Sequence, residues 1–297
     1  MNSVRAAAAS LAAFLLVLPL GAQHAAPAAD KIEVPAGGAS LALGDLGGRP
    51  LVEVDINGNG PYRFILDTGA SHTLVDEDLS KQLSLPAAPA TSARPAGVLG
   101  ELAKIDHLRI GDASLKGMVV EVGPLSRMFG GGDAPRGVLS AASFPGYLLV
   151  LDYPGKRVLI RKGELPPPDS RTRFQYTAEQ MLPNVPVRIG ETEVRAHVDS
   201  GAPGSLTLPT KYLQELPLAS EPSQVGRART THGEFPIWSA QVKGGVELGQ
   251  YKLDLPEVQF SDVNPIPGPA TGNIGYRILQ RFVVTRDSKN RRIQFEQ

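Results

Sequence analysis

Phe64-Ile65-Leu66-Asp67-Thr68-Gly69-Ala70-Ser71 is the stretch that decides the fold of this chain. It is an apolar run that ends on a carboxylate, a hydroxyl and a glycine. A second copy, Ala196-His197-Val198-Asp199-Ser200-Gly201-Ala202, follows 132 residues later. In each copy the apolar residues favour a strand and the glycine favours a tight turn after it. The repeat therefore predicts two strands that each deliver one aspartate to a turn, and two such aspartates predict one shared site.

The repeat extends to the strands around each motif. Residues 51–56 alternate apolar and polar side chains, which is typical of a half-buried strand, and residues 185–189 repeat the pattern. Each of these segments is followed by a glycine-containing turn signal. Further along, Gly137-Val138-Leu139-Ser140 matches Gly272-Asn273-Ile274-Gly275. Matches in the same order predict two homologous β lobes related by a pseudo-twofold axis.

A run of three prolines, Pro166-Pro167-Pro168, divides the chain between the two copies. Proline cannot donate to the hydrogen-bond ladder of a central strand, so this run favours a linker. We therefore expect an N-terminal lobe at residues 40–163, a linker at residues 164–172 and a C-terminal lobe at residues 173–297.

Composition limits both the class of fold and the class of partner. The chain has 297 residues, of which 42% are hydrophobic, 32 are glycine and 26 are proline, which favours many short strands and predicts an all-β protein. Lysine plus arginine and aspartate plus glutamate both number 30, so the charge balance does not indicate nucleic acid as a partner. The sequence contains no cysteine, which excludes disulfides and cysteine nucleophiles.

The N-terminus predicts a secreted or periplasmic location. Arg5 precedes an apolar run over residues 6–20, and small residues follow at Leu20-Gly21-Ala22 and Ala26-Pro27-Ala28. This order is typical of a cleaved signal peptide, which we place at residues 1–28. A membrane anchor is the alternative, but the run is shorter than the roughly 20 residues that a bilayer span needs. No stable membrane insertion is expected after cleavage.

With these motifs, the chain resembles the retropepsin-like (retroviral-type) aspartyl proteases, in a bacterial, secreted, two-lobed form. The residue three positions after each aspartate is alanine, Ala70 and Ala202, which is the retroviral pattern. The resemblance implies two β-barrel-like lobes with the active site in the cleft between them. Ser140, where this family has glycine, and Pro203-Gly204 depart from the pattern.

The resemblance implies that Asp67 and Asp199 form the catalytic pair. Two carboxylates about 3 Å apart cannot both ionise, so they share one proton, as the aspartic-protease dyad is generally described. The resemblance also assigns loop-locking hydroxyls and turn glycines to Thr68, Ser200, Gly69 and Gly201. The alternative interpretation is two ordinary turn aspartates.

The expected activity is that of an aspartic endopeptidase. It would hydrolyse peptide bonds of an extended polypeptide with a water activated by the pair, at a mildly acidic optimum of about pH 4–6. Both aspartates lie in one chain, so a monomer is expected to suffice, with no cofactor and no metal. Two alternatives are a catalytically weak or inactive peptide-binding protein of the cell envelope with this fold, and a structural β-protein of the envelope.

Substrates in this family lie extended between the lobes and pair with flap strands, which is a form of β-addition. We expect flaps at residues 95–104 and 226–236, with Gly100-Glu101 and Gly233-Glu234 at similar positions in the two lobes. The candidate flap residues are Gly97, Gly100, Glu101, Gly233 and Glu234. Ordinary surface loops are the alternative.

Two histidines have possible functional interpretations. His197 lies two residues before Asp199, on the same strand face, where it could tune the pair, although a packed or solvated strand histidine is favoured. His72, Asp76 and Asp78 could suggest a metal cluster. We interpret them instead as solvated turn and helix-start residues.

Overall fold

The computed structural model describes residues 29–89, 100–130, 134–176, 182–230, 233–255, 257–262 and 272–297. Strands make up 51% of the structure and helices 9%, so the protein is mostly β. Within the described ranges, no helix is long and apolar enough to cross a membrane. The predicted signal peptide at residues 1–28 lies outside the described residues and stays a prediction.

The N-terminal half of the chain contributes eleven strands and two short helices. The strands are β1 Lys31–Glu33, β2 Ala39–Ala42, β3 Gly44–Asp45, β4 Pro50–Ile56, β5 Asn59–Asp67, β6 Leu74–Asp76, β7 Glu101–Ile110, β8 Ala113–Gly123, β9 Gly137–Ser140, β10 Leu148–Asp152 and β11 Arg157–Arg161. The helices are α1 Glu77–Gln82 and α2 Leu125–Met128, and a 3₁₀ turn lies at Ala141–Ser143.

Six of these strands close into a barrel in the order β4, β5, β9, β6, β8 and β7, with β7 returning to pair with β4. The barrel follows from the alternation seen in the sequence. Phe64 and Leu66 of β5 are fully buried in the main core, whereas Ile65 packs in a second apolar cluster on the opposite face. Since side chains alternate along a strand, Asp67 lies on the same side as Ile65 and outside the barrel core.

The C-terminal half repeats this construction with twelve strands and two short helices among the described residues. The strands are β12 Arg173–Gln175, β13 Asn184–Ile189, β14 Thr192–Val198, β15 Leu206–Leu208, β16 Ser223–Thr230, β17 Gly233–Ala240, β18 Val246–Leu248, β19 Tyr251–Leu253, β20 Val258–Phe260, β21 Gly272–Ile274, β22 Val283–Asp287 and β23 Arg292–Glu296. The helices are α3 Tyr212–Glu215 and α4 Tyr276–Leu279.

The two lobes share the same strand pairing. In the first lobe β5 pairs antiparallel with β4 and parallel with β9, and in the second β14 pairs antiparallel with β13 and parallel with β21. The correspondence continues with β6 and β15, each of which is antiparallel to one neighbour and parallel to the other. The predicted all-β, two-lobed fold is therefore confirmed.

A six-stranded sheet joins the lobes, in the order β12, β23, β22, β10, β11 and β2. Its central pair is β10 of the first lobe and β22 of the second, which run antiparallel over five residue pairs. The proline-rich segment packs along this sheet, because the Leu165 N–H donates to Asp287 at 2.9 Å and Arg292 donates to the Leu165 carbonyl at 2.6 Å. This sheet fixes the orientation of one lobe relative to the other.

Candidate active site

The strands place the two aspartates at equivalent positions. Asp67 is the last residue of β5 and lies opposite Ser140 of β9. Asp199 directly follows β14, and its N–H donates to the carbonyl of Ile274 at the end of β21 at 3.0 Å. In both lobes a parallel partner strand thus holds the backbone next to the aspartate.

Four hydrogen bonds interlock the two aspartate loops. The Thr68 N–H donates to Ser200 Oγ at 2.9 Å, and the Ser200 N–H donates to Thr68 Oγ1 at 3.0 Å. Each hydroxyl then donates to the other strand: Thr68 Oγ1 to the Val198 carbonyl at 2.6 Å and Ser200 Oγ to the Leu66 carbonyl at 2.8 Å. Both hydroxyl residues are at most 3% exposed. Because every bond joins one lobe to the other, the arrangement fixes the aspartates relative to each other.

The glycine two residues after each aspartate lies against the carboxylate of the other lobe. A Cβ at Gly69 would lie 2.6 Å from Asp199 Oδ1, and a Cβ at Gly201 would come closer still to Asp67 Oδ2. Neither glycine has a positive φ. The glycines therefore do not supply a left-handed backbone here, and each provides room for the opposite carboxylate. The carboxylates consequently occupy one shared space between the loops.

Burial is the dominant electrostatic effect on the pair. It raises the pKa of both carboxyls, and the pKa of Asp199 rises well above its ordinary value because the charge of Asp67 acts on it as well. Backbone N–H groups oppose this shift: Gly69 donates to Asp67 Oδ1 at 2.7 Å and Ala202 donates to Asp199 Oδ1 at 3.1 Å. A pair of this kind retains one shared proton at pH values where isolated carboxyls are ionised.

Arg49, which no sequence motif indicates, lies beside the pair. It directly precedes β4, is 7% exposed, and donates from Nε to the Gly201 carbonyl at 2.9 Å. Its guanidinium also lies 5.2 Å from the centroid of the Phe129 ring. Its charge opposes the upward pKa shift of Asp67 and Asp199. In the sequence Arg49 follows Gly47-Gly48, so it cannot be distinguished from an exposed turn arginine.

The lobes differ next to the aspartates. Asn273 of β21 is 5% exposed and donates from Nδ2 to Asp199 Oδ2 at 3.2 Å, whereas the matched residue of β9 is Val138. Ser140, the departure from the family's glycine, is fully buried and donates from Oγ to the Ala70 carbonyl at 2.6 Å. The serine hydroxyl thus stabilises the first loop, and the departure fits the fold.

The interpretation of His72 and Asp76 as solvated residues is wrong. His72 is 6% exposed and its Nε2 lies 2.5 Å from Glu121 Oε2. Asp76 is fully buried and caps α1 by accepting from the backbone N–H groups of Asp78 and Leu79. Asp78 itself is exposed. Sequence patterns missed the burial because the partner of His72 lies 49 residues away in the chain.

The flap candidates lie at different places in the two lobes. Matching backbone hydrogen bonds flank the candidate flap segment of each lobe. The Ala88 N–H donates to the Leu102 carbonyl at 2.8 Å, and the Ala219 N–H donates to the Gln241 carbonyl at 2.7 Å. The segment between these bonds is longer in the second lobe. Gly100 and Glu101 lie one or two residues before the bonded Leu102. Gly233 and Glu234 lie seven or eight residues before the bonded Gln241, in the β16–β17 ladder, so the two pairs lie at different distances from these bonds. Gly97 lies outside the described residues.

His197 is buried rather than solvated, at 1% exposure. Burial lowers its pKa to about 4, although a hydrogen bond to the Pro183 carbonyl opposes the shift. The ring is therefore neutral at pH 7 and does not add a positive charge beside Asp199. In the first lobe the matched position is Ile65.

Replacing His197 with isoleucine, its counterpart in the first lobe, should reduce the loss of stability in acid. Between pH 6.5 and 4 the unfolded histidine binds a proton that the folded one does not, so the free energy of unfolding falls as pH falls, by up to about 3 kcal/mol. Burial raises the pKa of Asp67 and Asp199, so their contribution to the free energy of unfolding rises as pH falls. The parent and His197→Ile are therefore compared at each pH, where this contribution cancels. Urea unfolding at pH 7 and pH 4.5 measures the difference, and equal acid losses in both proteins would refute the argument.

A family model for aspartyl proteases matches the chain twice, at residues 52–141 and at residues 185–278. The first match runs from β4 to the 3₁₀ turn and the second from β13 to α4, so each covers one aspartate motif and its parallel partner strand. A comparison with curated proteins gave no match. The two matches together span more than half of the sequence, and the chain belongs to the retropepsin-like aspartyl protease family.

Proposed function

We propose that the protein is an aspartic endopeptidase that hydrolyses an extended polypeptide with a water activated by Asp67 and Asp199. The observation that supports this most directly is the shared space of the two carboxylates, each packed against the glycine of the opposite loop. The raised pKa of both carboxyls supports it as well, because the mechanism needs one proton on the pair.

In this mechanism the two carboxyls of the pair have different roles. The ionised carboxylate accepts a proton from the attacking water, while the protonated carboxyl donates to the oxygen of the scissile carbonyl. The tetrahedral intermediate then collapses as the amide nitrogen takes up a proton from the pair. The Thr68–Ser200 interlock keeps the carboxylates in place throughout, since it is built from backbone and buried hydroxyl groups.

We propose a polypeptide as the substrate, in an extended form that pairs with the candidate flap segments at residues 95–104 and 226–236. Gly100, Glu101, Gly233 and Glu234 remain the candidates for contacts to it. Both aspartates come from one chain, which supports a monomeric enzyme. The apolar N-terminal run supports a secreted or periplasmic enzyme, and N-terminal sequencing of the mature protein from the periplasm or culture medium would test this location.

The activity is tested with the mature chain and a peptide library at pH 3–8, with products identified by mass spectrometry. We expect cleavage that a pepstatin-type transition-state mimic inhibits, and a rate per chain that stays constant on dilution. A folded protein that binds library peptides but cleaves none of them would overturn the proposal in favour of a peptide-binding protein. A rate per chain that falls steeply on dilution would indicate a site shared between two chains.

A further inference from the structure

Arg49 is a buried cation, and its hydrogen bond to a neutral carbonyl does not balance its positive charge. Its Nε donates to the backbone carbonyl of Gly201, and its Nη2 is buried with no hydrogen-bond partner in the part of the chain that the structure describes. A carbonyl oxygen carries only a partial charge. A fully charged group is stable in a protein interior only where an opposite charge lies nearby, because transfer from water is costly.

Three carboxylates lie near enough to act on the charge of Arg49. Asp45, in β3 just before it, is exposed and hydrogen-bonded to the Tyr276 hydroxyl, so water screens its charge. The other two are Asp67, which is half-buried, and Asp199, which is 5% exposed, so water screens their charges less than that of Asp45. The Phe129 ring lies 5.2 Å away from the guanidinium carbon and makes a cation–π contact.

We propose that Arg49 is the counter-cation of the Asp67/Asp199 pair: buried against Gly201, it sets the pH range over which the pair is singly protonated. Arg49 is thus a positioning residue that acts through the two carboxylates. The inference rests on the proposed function and deepens it, because it assigns the control of the enzyme's working pH to one residue outside the two aspartate motifs.

Charge counting gives the direction of the effect. With Arg49 present, the singly protonated pair and the guanidinium have no net charge, which is the most stable combination in a desolvated site. Without the arginine, the same pair has one uncompensated negative charge, and the doubly ionised pair has two. Loss of Arg49 therefore makes both deprotonation steps harder and moves both to higher pH.

The test uses two replacements that separate charge from packing. Arg49→Gln removes the charge but keeps an N–H donor for the Gly201 carbonyl, and Arg49→Lys keeps the charge. In Arg49→Gln we expect both limbs of the bell-shaped pH profile of kcat/KM to move up by about one pH unit, the size expected for one nearby charge in a protein. In Arg49→Lys we expect limbs close to those of the parent. Thermal unfolding of both variants verifies that they fold.

A second measurement does not depend on peptide cleavage. Titration of ¹³C-labelled aspartate carboxyls by NMR follows the pair directly, and Arg49→Gln should shift its apparent pKa values upward. Arg286→Met is the matched control, because Arg286 is equally buried, at 6% exposure, but acts on the Tyr176 hydroxyl. An unchanged titration in Arg49→Gln would overturn the inference. A shifted titration in a protein that cleaves no peptide would support the inference and count against the proposed function.

Discussion

Asp67→Asn and Asp199→Asn are each expected to reduce kcat/KM by at least about 10³-fold, because a carboxamide can neither accept the proton of the water nor return it. The two carboxyls act as one unit, so the double variant should lose about as much as either single variant. The fold should persist, since an amide oxygen can still accept from the N–H of Gly69 or Ala202. Peptide cleavage and thermal unfolding at the same pH measure both effects.

The stability of these variants gives an independent measure of the pair. Burial raises the pKa of both carboxyls, so at pH 7 ionisation of the pair destabilises the folded protein, and removing one carboxyl should not lower the free energy of unfolding. Asp106→Asn is a suitable control, since its side chain is 69% exposed and lies on the surface of β7. If Asp67→Asn or Asp199→Asn kept near-normal turnover, the assignment of the pair would be wrong.

The positions of the two aspartates could be predicted because the apolar residues of a buried strand fix which of its side chains face the core. In β5 and β14 the alternation of side chains fixes which residues face the core of each lobe, and a shift of one residue would exchange the two faces. Asp67 ends β5 and Asp199 directly follows β14, so the apolar residues before each aspartate determine the face on which it lies. The role expected of the Thr68 and Ser200 hydroxyls came from the resemblance to the family.

Arg49 and Glu121 could not be predicted, because their importance depends on contacts between distant parts of the chain. The Arg49 side chain bonds to a carbonyl 152 residues away, and His72 pairs with a glutamate 49 residues away. A charged residue in a sequence is ordinarily expected in solvent, and only tertiary structure shows that these groups are buried with a partner.

Gly201→Ala is expected to reduce kcat/KM by about 10²-fold or more, because the added methyl group would lie well inside van der Waals contact with Asp67 Oδ2. Either the carboxylate moves or the loop moves, and a displacement of about 1 Å is enough to cost this much activity. Overpacking of this kind also destabilises by about 1–3 kcal/mol. Gly69→Ala should behave similarly through Asp199, with a smaller effect because its contact is longer, at 2.6 Å.

The loss of activity expected in Gly201→Ala comes from the steric contact with Asp67 and does not come from backbone conformation. Gly37 provides the matched control: like Gly201 it has no positive φ, but nothing lies within 4 Å of a Cβ built on it. Gly37→Ala should therefore keep parental activity and stability, and the general entropic gain of replacing glycine is small. Steady-state kinetics and urea unfolding of the three variants decide the matter. Parental kcat/KM in Gly201→Ala would mean that the two carboxylates do not share the space between the loops, and the assignment of one site to both lobes would fail with it.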